Sequence, residues 1–178
     1  PQRVIELAEQ GYSAFVSMDE AKAGGAQLCI IATDTGSHLL DGFEAIDLGL
    51  DVLIEKPLSV DAADAFRLNQ HARKAHRDLY VACTLRFSES LNTFRDLLDQ
   101  IGDLHSVRIE AQSFLPDWQP SRDYLQTFRA REREGGVLLD MIHEIDYAGW
   151  LFGWPANVHG NLGNLGRLGI ASEEYAEL

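Results

Sequence analysis

"AQLCIIATDTGSHLLDGFEAIDLGLDVLIEKPLS", residues 26–59, decides the fold. Its first apolar run, "AQLCIIAT" (26–33), is too short for a helix and too continuous for a half-exposed strand, so it reads as a buried strand. Leu39, Phe43 and Ile46 then recur at helical spacing until the region of Gly49, and "DVLIEKP" begins a second strand. Working outward, Ser59 is placed to N-cap a helix, "VDAADAFRLNQHARKAH", with Asp61 in its first turn. "DLYVACTLRF" (78–87) supplies a further strand, and upstream "AFVSM" (14–18) reads as a short one. Strands separated by helices at this spacing require right-handed crossovers, hence a parallel sheet covered on both faces.

Beyond about residue 88 the pattern changes. "SESLNTFRDLLDQIG" (88–102) carries Leu91, Phe94, Leu97 and Leu98 on one side and stops at Gly102. "LHSVRIEAQSF" (104–114) alternates like a half-exposed antiparallel strand, and "LPDWQPSRDY" (115–124) is a loop with two prolines. A strong helix spans 135–153, and "GWPANVHGNLGNLG" is a turn feeding an edge strand. The chain therefore reads as α/β followed by α+β with a mainly antiparallel sheet, in two domains, 1–87 and 88–178.

The chain has 178 residues and a formal charge of −13, which argues against nucleic acid because phosphate binding needs clustered Lys and Arg. It does not exclude an anionic cofactor, since helix N-termini hold phosphate through backbone N–H groups. The apolar runs are far too short to span a membrane. Cys29 and Cys83 sit in apolar runs and read as buried hydrophobes in a reducing compartment, so the expected location is the cytoplasm.

Four features carry chemistry. "IATDTGSH" (31–38) brings Thr33 and Thr35 to the carboxyl end of a parallel strand, where open α/β sheets bind ligands; His38 by itself reads as a surface or capping histidine. Glu55, Lys56 and Pro57 end the next strand at the same sheet edge, where a lysine can orient a hydroxyl and exchange protons. On the 135–153 helix, Leu138, Ile142, Ile145, Gly149 and Phe152 share one face, with Asp140, His143, Glu144 and Tyr147 opposite, and His143 is placed to act as a general base. The loop 114–133 offers Trp118, Tyr124 and arginines, groups that suit sugars and carboxylates. Each also has a structural reading: a capped strand-to-helix turn, a strand-ending turn, a solvated helix face, a surface loop. No His or Cys cluster supports a metal.

Together "IATDTGSH…FEAIDLGLDVLIEKPLS" and "GGVLLDMIHEIDYAGWLFG" resemble the two signatures of the Gfo/Idh/MocA (glucose–fructose oxidoreductase, inositol dehydrogenase) family, in order along nearly the whole chain. The resemblance implies a partial Rossmann-type dinucleotide domain over 1–87 and the start of a substrate and oligomerisation domain over 88–178. It implies NAD or NADP as cofactor, a sugar-like small-molecule substrate and a homo-oligomer formed through the second domain. Thr33, Thr35, His38, Glu55, Lys56 and Arg86 are then expected to line the cofactor, with Pro57 shaping the turn through a cis bond. Lys56, His143 and Asp140 are the expected catalytic residues, and Trp118, Tyr124 and Tyr147 the expected substrate contacts. Asp140 departs from the family pattern, standing three residues before His143 where many members place an aspartate four before. The glycine-rich loop, and the acidic or basic residue that selects NAD or NADP, are expected upstream of Pro1, so an internal segment of a longer enzyme is the expectation. Two other readings stay open: a catalytically silent dinucleotide-binding sensor, and a glycoside-cleaving enzyme of the same fold.

Overall fold

The computed structural model describes residues 2–178, and the chain divides between Ala82 and Cys83 into two units. The first runs α1 (Gln2–Glu9), α2 (Met18–Ala23), β1 (Leu28–Ile31), α3 (His38–Asp47), β2 (Asp51–Glu55), α4 (Ala62–Lys74) and β3 (Leu79–Ala82). The strands form one parallel sheet in the order β1-β2-β3, with Ile31 opposite Ile54 and Ile54 opposite Val81. Ile31, Val52 and Ile54 face Ala45 and Ile46 of α3 and Leu68 and Ala72 of α4, and with Leu50 these make the buried core. Gly42 permits that approach: a Cβ there would stand 2.8 Å from Leu68 Cδ2 and 3.2 Å from Ile54 Cδ1.

Among the described residues, only one face of this sheet is covered. Successive right-handed crossovers that step in one direction put α3 and α4 on the same side. Ile30, Leu53 and Tyr80 lie in register across the other side, Ile30 66% and Tyr80 58% exposed. The helical layer expected on that side is not present among the described residues.

Two local expectations are corrected here. Residues 14–18 form no strand; instead Ser17 caps α2, its Oγ accepting Glu20 N at 3.2 Å while Glu20 Oε2 accepts Val16 N at 3.1 Å. This cap, with Glu20 reaching back to the N–H one residue before Ser17, outweighs the short apolar run. The cap of α4 is Asp61 rather than Ser59: Asp61 Oδ1 accepts Ala63 N at 2.8 Å and Asp64 N at 3.0 Å, and Ser59 Oγ accepts Asp61 N at 3.2 Å.

The second unit contains α5 (Glu89–Leu97), α6 (Val137–Asp140), α7 (Ile142–Phe152) and an antiparallel pair, β4 (Asn161–Gly163) with β5 (Tyr175–Glu177). α7 rests on α5, with the Arg95 guanidinium 4.9 Å over the Trp150 ring and Phe94 edge-on to Phe152 at 6.5 Å. The expected strand at 104–114 forms no ladder. Alternation assigns side chains to faces, but a strand needs a partner for its hydrogen bonds, and β4 and β5 pair only with each other. The helix expected over 135–153 is broken at Met141, whose φ of −97° and ψ of 24° leave helical geometry. No helix of the described residues is long and apolar enough to cross a membrane.

Candidate active site

At the carboxyl edge of the parallel sheet, the turns after β1 and β2 lie side by side. Their strands are paired as far as Ile31 and Ile54. In the first turn Ala32, Thr33 and Asp34 are exposed, and Thr33 Oγ1 donates to Asp41 Oδ2 in the first turn of α3 at 2.6 Å. Thr35 is buried, as is His38, whose Nδ1 stands 2.8 Å from the Pro57 carbonyl oxygen and whose Nε2 stands 3.0 Å from that of Thr33. In the second turn the Lys56–Pro57 peptide is cis, as the resemblance implied. Glu55 folds back so that its Oε2 accepts Lys56 N at 3.2 Å. Glu55 and Lys56 are half-buried. An exposed turn that leads directly into the N-terminus of a ten-residue helix fits an anionic cofactor, because that terminus presents backbone N–H groups.

In the second unit the polar residues of α6 and α7 part company. Asp140, on α6, pairs with Arg129, whose Nε lies 3.4 Å from Asp140 Oδ1. The Arg129 guanidinium also stacks 4.6 Å over Phe128 and 5.6 Å over Trp118. Arg129, Asp140 and Trp118 line a cleft of about 820 Å³ together with Met141 and Glu173. The residues lining that cleft do not include His143 or Tyr147. Both stand on α7, half-buried, and burial followed by the nearby Glu144 carboxylate pushes the Tyr147 hydroxyl up. Trp118 Nε1 donates to Ser113 Oγ, and Tyr124 OH donates to the Leu168 carbonyl at 2.9 Å, which fastens the 114–133 loop to the segment before β5.

Arg86 is committed within its own unit. Its Nε and Nη2 donate to Asp146 Oδ2 and Oδ1 at 2.9 and 2.6 Å, and Asp146 is only 12% exposed. Those hydrogen bonds hold the Asp146 carboxyl below its ordinary range and raise Arg86. Asp146 was missed by the sequence reading, although it stands three residues after His143 and hence on the same side of α7.

The two glycines of "GGVLLD" also acquire a reason. A Cβ on Gly135 would stand 1.9 Å from the Arg129 carbonyl oxygen. Gly136, at φ +101°, lies against the Glu173 carboxylate, which accepts Leu138 N at 3.0 Å at the start of α6.

Residues 3–83 match the family model described as "Oxidoreductase family, NAD-binding Rossmann fold", and residues 91–178 match the GFO/IDH/MocA C-terminal domain. The chain belongs to the Gfo/Idh/MocA family. Among curated members it is 30% identical to inositol 2-dehydrogenase of Leifsonia xyli subsp. xyli, over 83% of this chain and 42% of that one. It is 28% identical to scyllo-inositol 2-dehydrogenase (NADP(+)) of Bacillus subtilis, over 85% of this chain and 40% of that one. The chain thus spans less than half the length of these Gfo/Idh/MocA relatives. Of solved structures, the WlbA dehydrogenase from Bordetella pertussis, in complex with NADH and UDP-GlcNAcA, superposes with a TM-score of 0.78 at 23% identity, over 99% of this chain and 52% of that one. At that identity the likeness is one of fold.

Proposed function

We propose that the protein containing this chain is a nicotinamide-dependent oxidoreductase acting on a hydroxyl of a sugar, cyclitol or sugar acid, with NAD or NADP as cofactor. The observation that carries this reading is the pair of turns at one sheet edge, one exposed and leading into α3, the other bearing Lys56. The names of the inositol dehydrogenase relatives support it.

Thr33 and Thr35 sit where the turn after β1 meets α3 and are assigned to the cofactor, with Glu55 supporting the same edge. The bound nicotinamide supplies the hydride acceptor. Lys56 orients the substrate hydroxyl and polarises its oxygen, since an ammonium stabilises developing negative charge there. His143 takes the hydroxyl proton as general base. Asp140, paired with Arg129, shapes the wall of the cleft rather than moving a proton; Trp118 in that wall, and Tyr147 outside it on α7, are assigned to substrate. Arg86 is assigned to the cofactor wall through its tie to Asp146, and Tyr124 to the substrate side through its hold on the loop. Assembly as a homo-oligomer through the second unit and a cytoplasmic location complete the reading; Cys29 and Cys83 are not bridged, which suits a reducing compartment.

The test is steady-state turnover of a panel of cyclitols and sugar acids alongside cofactor titration. His143→Ala and Lys56→Ala should each lower kcat by about 10²- to 10⁴-fold with cofactor affinity nearly intact. Wild-type turnover in both variants would remove the catalytic pair and favour a dinucleotide-binding sensor.

A further inference from the structure

His38 is the first residue of α3 and only 1% exposed. A buried imidazole is costly unless its polar edges are engaged. Here each edge faces a backbone carbonyl oxygen within hydrogen-bond distance, on different loops: Nδ1 stands 2.8 Å from that of Pro57 and Nε2 3.0 Å from that of Thr33. Carbonyl oxygens only accept, so a ring with one proton donates to one of them and a ring with two protons donates to both. The β1–β2 ladder ends at Ile31 and Ile54, short of either carbonyl. A leucine would fill the same space but could not join two carbonyls that lie beyond the last ladder pair.

These two carbonyls belong to the segments that carry the residues assigned above, Thr33 and Thr35 in one, Glu55 and Lys56 in the other. We infer that His38 is a positioning residue: it ties the turn after β1 to the turn after β2 and thereby fixes where Thr33 and Lys56 stand. The inference rests on the proposed roles of those two residues. It gives His38 work in the cofactor wall without a ring nitrogen facing the ligand.

The test separates the two bonds in the full-length protein. His38→Leu keeps bulk and removes both. In His38→Asn the amide nitrogen falls near Nδ1 and restores the bond to Pro57; in His38→Gln it falls near Nε2 and restores the bond to Thr33. His38→Leu should lower kcat by about 10- to 100-fold, the effect of a small misplacement of a reacting group, and weaken cofactor binding roughly fivefold, the worth of one hydrogen bond. His38→Asn should recover kcat more than cofactor affinity, and His38→Gln the reverse. A folded His38→Leu protein with wild-type kcat and affinity overturns the inference, as do Asn and Gln variants that behave alike. Where the leucine variant does not fold, the Asn and Gln pair decides. A readout without turnover keeps the proposed function separate: ¹H–¹⁵N spectra of the histidine rings in the wild type should show a slowly exchanging ring N–H that is lost in His38→Asn. No protected ring proton defeats the clamp, whatever the enzyme turns over. A protected ring proton with a shifted cofactor affinity, beside no turnover of any cyclitol or sugar, supports the clamp and defeats the proposed reaction.

Discussion

Each of the two units is stabilised internally by a different kind of force. Every buried hydrophobic side chain among the described residues lies between Ile31 and Ala72, in the α/β unit. In the second unit the fully buried side chain is a serine, Ser172, whose Oγ donates to the Arg129 carbonyl at 2.8 Å. Around it Asn164 Nδ2 donates to the carbonyls of Ile170 and Ser172 at 2.8 and 2.6 Å, and the Glu174 carboxylate accepts the backbone N–H groups of Leu165, Arg167 and Leu168. One unit rests on apolar burial, which is roughly proportional to area and indifferent to pH. The other rests on directed, partly charged hydrogen bonds, which are not.

The largest effect that tests this contrast is in the apolar unit. Leu68 is fully buried against Gly42 and the sheet, so Leu68→Ala should cost about 2–5 kcal/mol, the usual loss for a core leucine. Hydrogen exchange of the β1–β3 amides should report it. All three tryptophans, Trp118, Trp150 and Trp154, lie in the second unit, so their emission should change little at the denaturant concentration where those amides first open. Loss of both signals together would mean that the two units unfold as one.

Next in size is the Arg86–Asp146 pair. Asp146→Asn should destabilise the second unit by about 2 kcal/mol, the range for a charge-assisted hydrogen bond. The sign of its pH dependence follows from the lowered carboxyl: the folded state binds that proton more weakly than the unfolded one. Its contribution is therefore complete above the ordinary carboxylate range and is lost as pH falls through the depressed folded value. Tryptophan emission against pH should show an acid transition in the wild type that loses this component in Asp146→Asn. An identical acid limb in both proteins would detach the pair from the stability of this unit.

The same contrast explains what the sequence revealed. Apolar spacing from Ala26 to Ser59 made β1, α3 and β2 readable because burial imposes a period. The turn residues Thr33, Lys56 and Pro57 followed from where parallel strands end. Local chemistry was harder to read: Asp61 took the cap expected of Ser59 because its carboxylate reaches two N–H groups, and Ser17 with Glu20 turned an apolar run into a helix start. In the second unit the decisive contacts are non-local, such as Ser172 on Arg129 and Arg86 on Asp146, 60 positions apart, and no period marks them. The break at Met141 was equally silent, yet it takes Asp140 out of the continuous helix on which its spacing from His143 would be judged.

The smallest effect sharpens the capping comparison. Asp61→Ala should cost about 1 kcal/mol and fray the first turn of α4, whereas Ser59→Ala should cost less, since its hydroxyl serves only the cap's own N–H. Amide exchange at Ala63 and Asp64 distinguishes the two variants. Equal losses would make the two residues one shared cap.

The row of Ile30, Leu53 and Tyr80, uncovered among the described residues, bears on how these 178 residues behave when handled on their own. Apolar planes attract one another at short range, while a net charge of −13 pushes copies apart at long range. Added salt shortens the reach of that repulsion to about 10 Å at 0.1 M, and strongly salting-out anions strengthen the attraction as well. These 178 residues on their own should therefore stay dispersed best in dilute buffer, and sulfate or phosphate at high concentration should bring such planes into contact.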